Sequence, residues 1–183
     1  GAHVFPVHRL DRPTSGALIF ALHRDAARTL SQSFEASEVS KVYLALVRGI
    51  TPESGHIDNP VPKKPKGPRV DAVTDFRRLH TFERYSLVEA RPKTGRLHQI
   101  RRHLKHITHP LIGDVKYGKG DQNRLFRERF GLNRLALHAL SIEFKHPSHN
   151  EVVKVVAPVP EDLEVPFSRM GIPREVFEAS NSD

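Results

Sequence analysis

The chain has 183 residues, 38% of them hydrophobic, enough for one sizeable domain with its own core. Lys and Arg number 29 against 21 Asp and Glu, a formal charge of +8 that points to a polyanionic partner, most often nucleic acid. It has no cysteine, which excludes disulfides and thiolate metal sites, and no apolar run near the ~20 residues of a bilayer-spanning helix.

The sequence opens on "GAHVFPV" without an initiator Met and enters a charged motif at once. It is therefore expected to be a single domain over 1–183 whose N-terminal part is missing, along with a strand that would pair with residues 3–8. The motif is "HRLDRPTSG", one carboxylate between two arginines followed by a turn-forming stretch. Residues 17–22 are a continuous apolar run of strand length. In "HRDAARTLSQSFEAS", Ala26, Leu30 and Phe34 recur every four residues and predict a helix of about three turns. "KVYLALVRG" predicts a strand closed by a turn.

Residues 51–70 carry Pro52, Pro60, Pro62, Pro65 and Pro68 with Lys63, Lys64, Lys66 and Arg69, and read as a mobile basic loop. "AVTDFRRL" and "ERYSLVEARP" predict two more strands. In "PKTGRLHQIRRHLKHITHPLIGD", Leu97, Ile100, Leu104 and Ile107 fall on one helix face, with Gly95 at the entry and Pro110 as the stop. Arg91 to His109 holds six Lys or Arg, four His and no acid, so this is no ordinary salt-bridged surface helix. "DQNRLFRERFG" predicts a short helix, and "RLALHALSIEF" and "EVVKVVAP" a hairpin. The Pro- and acid-richer part from Pro158 onward is expected to be peripheral. Strands outnumber helices and most connections look antiparallel, which gives the α+β class.

Asp11 has two readings. It is a turn residue accepting backbone N–H bonds, or a nucleophile or base held ionised by a cation where water is scarce. A pair about 4 Å apart at an effective dielectric near 20 gains about 4 kcal/mol, enough to oppose partial desolvation. Arg96, Arg101 and Arg102 are the candidate partners. Arg101 flanks the apolar helix face and can reach a cleft, whereas Arg102 lies further round, toward solvent or phosphate. Tyr43 is either core packing or a ring that stacks on a base. His98, His103, His106 and His109 drift around the helix instead of converging, so phosphate or backbone contacts account for them better than a metal does. One acid among many cations does not suit a glycosidase, which needs two facing carboxylates.

"HRLDRPTSG", "KVYLALVRG", "KTGRLHQIRRHL", "HPLIGD" and "RLALHALSIEFKHP", in that order over about residues 3–157, resemble the motifs of the RluA-type pseudouridine synthases. His8 in the first motif favours that branch over the RsuA-type enzymes. The resemblance implies a pseudouridine synthase fold: a mainly antiparallel mixed sheet with flanking helices and a central catalytic cleft, here N-terminally truncated. The family's N-terminal Lys-Pro strand motif and further N-terminal domain are not in this chain.

By the same resemblance, Asp11 is the essential aspartate, Arg101 its partner, and Tyr43 the ring on the uracil, the three catalytic candidates. Ile100 is an aliphatic wall, and Arg9 fills the space a flipped nucleotide leaves. Arg12, Thr14, Arg96, His98 and Arg102 complete the substrate-binding set. No cofactor and no metal is implied, because breaking the C1′–N1 bond of uridine and rejoining the base through C5 is redox-neutral.

The implied partner is RNA. "RRHLKHITHPLIGD" and "DQNRLFRERFGLNRLALHA" are most like a tRNA-acting branch, which implies tRNA (its uridine 65) ahead of ribosomal RNA. A monomer in the cytoplasm with no membrane contact is expected. The competing readings are a non-catalytic RNA-binding module and, more weakly, a DNA-acting protein.

Overall fold

The computed structural model describes residues 4–149 and 151–178. The apolar run at 17–22 is not one strand. β1 (Phe5–Pro6), β2 (Ser15–Gly16) and β3 (Phe20–Ala21) are short pieces; β1 pairs with β3, and β2 pairs with residues 138–139. Gly16 explains the break. Its φ is 121°, and a Cβ there would lie 2.2 Å from the Ala139 carbonyl oxygen, so only glycine lets the backbone approach this closely. The predicted helix follows as α1 (Arg24–Glu35), capped by the His23 ring, which accepts from the Ala26 N–H, and burying Ala26 and Leu30.

The chain then forms β4 (Ser40–Arg48), β5 (Ser54–Asp58), β6 (Val61–Pro62) and β7 (Arg69–Val70). Residues 51–70 are thus not the loop expected from their prolines. Ile57 and Val61 are buried, β5 pairs over five residues with residues 73–77, and β6 pairs with β7. The prolines fall at edges and turns of this hairpin, where a missing N–H costs no ladder bond. β8 (Val73–Phe82) and β9 (Tyr85–Pro92) come next, as predicted, then α2 (Gln99–His106) and α3 (Gly120–Phe130). The predicted C-terminal hairpin is β10 (Leu137–Lys145) and β11 (Val152–Val156), followed by α4 (Glu161–Arg169) and α5 (Arg174–Glu178).

The main sheet runs β11-β10-β4-β9-β8-β5, every neighbour antiparallel, with β2 added in parallel on β10. Central β4 is covered on both faces, which is why its residues 42–47 are a continuous apolar run instead of alternating. Leu44 and Leu46 pack with Phe126, Phe130, Leu163, Phe167 and Phe177 of α3, α4 and α5. Tyr43, Ala45 and Val47 face the other way, toward Ile100 and Leu104 of α2. Residues beyond Pro158 are therefore not peripheral. Leu163, Phe167, Met170, Ile172 and Phe177 belong to the larger core, and the acids that made the segment look external lie on the outer side of α4.

Candidate active site

Asp11 lies in the loop between β1 and β2, in a turn closed by the Thr14 N–H donating to the Asp11 carbonyl at 2.8 Å. Arg134 clamps this turn. Its guanidinium donates to the Pro13 carbonyl and to Ser15 Oγ, and it holds Asp162 of α4 at 3.0 Å. Ser15 Oγ lies 2.8 Å from His138 Nδ1, whose Nε2 meets the Ala157 carbonyl. On the other side, His8 Nε2 accepts the Ile19 N–H and its ring stacks on Phe34.

The facing wall is the start of α2. Gln99 organises it. Its Oε1 accepts from Thr94 Oγ1 and the Arg96 N–H, and its Nε2 donates to the Val73 carbonyl and Thr74 Oγ1. His103, one turn on, is tied to Thr74 Oγ1 and the Asn59 carbonyl, a backbone-fixing role and not a ligand's. His109 meets the Arg48 carbonyl in the same way. His98 enters the helix at φ 52°, a left-handed conformation costly for a residue with a Cβ. Such backbone cost gathers where structure serves function. The ring lies 2.9 Å through Nδ1 from the Tyr117 hydroxyl and 3.9 Å through Nε2 from Asp11. The tautomer with Nε2–H toward Asp11 satisfies both contacts. Burial lowers the His98 pKa; the Asp11 charge opposes this, and Arg101, Lys116 and Arg102 reinforce it.

Arg101 joins the two walls. Its Nη1 donates to Asp11 Oδ2 at 3.1 Å, a contact across 90 residues of sequence. Its Nε and Nη2 form a two-pronged pair with Asp114 at 2.7 and 2.9 Å. The Asp114 side chain has no exposed surface, and its Oδ1 also accepts the Lys116 and Tyr117 N–H groups. Burial would raise the Asp114 pKa, but the Arg101 and backbone bonds outweigh it and hold the carboxyl below its ordinary value. Gly113 places this acid: at φ 78°, a Cβ would meet the Arg134 carbonyl oxygen at 1.9 Å. Beside Asp114, the Tyr117 ring carries the Arg101 and Arg102 guanidinium groups at 5.0 and 5.3 Å.

Between the walls lies a cavity of about 540 Å³. Of the residues singled out in the sequence, Arg9, Asp11, Thr14, Tyr43, Arg96, His98, Ile100 and Arg101 line it. Arg12 is exposed and outside the lining; Arg102 is also outside, over Tyr117. The Tyr43 phenol is pushed up to about 12, first by burial and then by the Asp11 charge. Sequence reasoning missed Asp114, Gln99, Tyr117 and Lys41. The "HPLIGD" motif held the signal for Asp114, since a carboxylate after a glycine is a ready partner for an acid-free cationic helix.

This fold and cavity define an RNA pseudouridylate synthase: the model of that family matches residues 1–106, and the chain belongs to it. It is an isomerase of the pseudouridine synthase class. Among curated proteins it is similar to tRNA pseudouridine synthase C of Haemophilus ducreyi, 44% identical over 92% of this chain and 78% of the relative. The protein of that name from Vibrio vulnificus is 39% identical over 99% of this chain and 82% of its own length. Among solved structures, human RNA pseudouridylate synthase domain containing 4 superposes with a TM-score of 0.77 at 25% identity, covering 92% of this chain and 76% of that one. Human RNA pseudouridylate synthase domain containing 1 gives 0.73 at 30% identity over 86% and 70%.

Proposed function

We propose that this protein converts a uridine in tRNA to pseudouridine, acting as a monomer in the cytoplasm, with Asp11, Arg101 and Tyr43 as its catalytic residues. The observation that carries this reading is the Asp11–Arg101 pair in the wall of a cavity that Tyr43 also lines. The names of the curated relatives support tRNA over ribosomal RNA.

The target base leaves the stack and enters the cavity, where Ile100 and Tyr43 flank it. Asp11 acts on the sugar, as nucleophile at C1′ or as base, while Arg101 balances its charge. The C1′–N1 bond breaks, the base turns, C5 bonds to C1′, and C5 gives up its proton while the freed N1 takes one up, so substrate and product have the same atoms. A phenol near 12 is protonated at neutral pH, which favours stacking and hydrogen-bond donation by Tyr43 over service as a phenolate base. Arg9 fills the gap the base leaves in the RNA. Thr14, Arg96 and His98 contact the incoming nucleotide from the wall, and Arg12 and Arg102 meet the RNA outside it.

Asp11→Asn is the test. Pseudouridine formation on a tRNA transcript is expected to fall by at least about 10³-fold with RNA affinity little changed. Turnover equal to the parent's would overturn the reading. Mapping pseudouridine across total RNA with and without the gene identifies the target; a lost ribosomal site with intact tRNA would move the substrate to ribosomal RNA.

A further inference from the structure

Two cations of the cavity lining, Lys41 and the exposed Lys63, have no use in the chemistry just described, and of the two only Lys41 is buried. Lys41 is 9% exposed, on β4, with its side chain in the cavity wall. Its ammonium makes one long hydrogen bond, 3.4 Å to the Thr94 carbonyl. An ammonium has three donors, so two remain free. No carboxylate pairs with it among the described residues. Of the two acids in the lining, Asp11 is held by Arg101, and Glu35 pairs with neither Lys41 nor Arg96. Arg96 lines the same cavity and is a second cation that acts on Lys41; among the described residues its guanidinium makes one hydrogen bond, from Nε to the Asp71 carbonyl. Burial, and then the Arg96 charge, lower the Lys41 pKa.

A buried ammonium that shares a cavity wall with a guanidinium, neither paired with an acid, is an unfavourable arrangement by itself. It becomes favourable when an anion enters between them, each then making charge-assisted bonds to the same oxygens. Position suggests which anion. Lys41 and Tyr43 are two residues apart on one face of β4, so they stand roughly 6.6 Å apart along the strand, the scale of a single nucleotide.

We propose that Lys41 and Arg96 form a seat for an RNA backbone phosphate beside the nucleotide that enters the cavity. The proposal rests on the functional reading above and assigns that site a second contact, one that holds the chain and not the base. Through this seat, recognition is independent of sequence and sensitive to salt.

The test is made in the Asp11→Asn background, so that a bound tRNA transcript is not turned over, and it reads binding only. Lys41→Met is expected to weaken binding and make the plot of log K against log salt shallower by about 0.7, the release from one single-strand phosphate. In phosphate-ethylation interference on the same transcript, one blocked phosphate seen with the Asp11→Asn protein is expected to vanish with Lys41→Met. Should Lys41→Met fail to fold by circular dichroism, Arg96→Gln, at an exposed position, gives the same two readouts. A folded variant with unchanged slope and unchanged interference pattern overturns the proposal. Failure of the functional reading looks different: Asp11→Asn would still make pseudouridine, whatever the salt slope.

Discussion

Arg101 and Lys41 face the same cavity and are treated in opposite ways. Arg101 is 5% exposed at its side chain and spends three nitrogens on carboxylates, two on Asp114 and one on Asp11. Lys41 is nearly as buried and has one weak bond to a carbonyl. Arg101 is part of the protein's own framework. It neutralises an acid the fold has already buried, and a planar guanidinium suits that fixed, forked geometry. Lys41 has no such partner among the described residues, and the phosphate proposed above is what would complete it. Burial alone therefore does not separate a structural cation from a recognising one; the count of satisfied donors does.

The largest effect that would sharpen this contrast is on stability. Arg101→Met leaves Asp114 buried without a cation, and losing one partner of such a pair costs about 3–5 kcal/mol. Thermal unfolding should fall by roughly 10 °C, and a variant as stable as the parent would break the comparison on the Arg101 side. Acidification comes next. His8 is lowered from 6.5 to about 4, first by burial and then by the Lys41 charge, and its Nε2 must stay unprotonated to accept the Ile19 N–H. The unfolded chain then binds the proton more tightly than the folded one. The His8 contribution to stability is complete above 6.5 and is lost as the pH falls toward about 4. His103 and His138, also lowered chiefly by burial, act in the same direction. An NMR titration of the His8 ring in Lys41→Met should show its pKa moved up toward 6.5; an unchanged value would remove Lys41 from the account. The smallest effect is that of Lys41→Met on stability itself, expected to be neutral or favourable by about 0–1 kcal/mol in urea, because an unpaired buried cation is gone. A large loss would mean Lys41 has an internal partner.

Much of the fold could be read from the sequence where one residue pattern had one outcome. β4, β8, β9, α1, α2, α3 and the β10–β11 hairpin stand where apolar spacing put them. The errors share a cause: local composition was taken for tertiary position. Pro60, Pro62, Pro65 and Pro68 looked like a disordered run, yet a hairpin tolerates them at its edges while Ile57 and Val61 anchor it. Glu161, Asp162 and Glu164 made α4 look external, although Leu163 and Phe167 on its other side fill the core. In the site, Asp11 and Arg101 were legible because their motifs are distinctive. Asp114 and Lys41 were not, since what matters about each is a partner, present or absent, from a distant segment.

The Arg134 clamp carries a consequence for how the enzyme comes into being. Its contacts reach back 121 residues to Pro13 and forward 28 to Asp162. Links of such span are made late, after their intervening segments have settled. The loop bearing Asp11 precedes both Arg134 and Asp162 in the chain, and it is fixed in place only after they have arrived. With Asp11 in its proposed role, activity is thus a sign that assembly is finished.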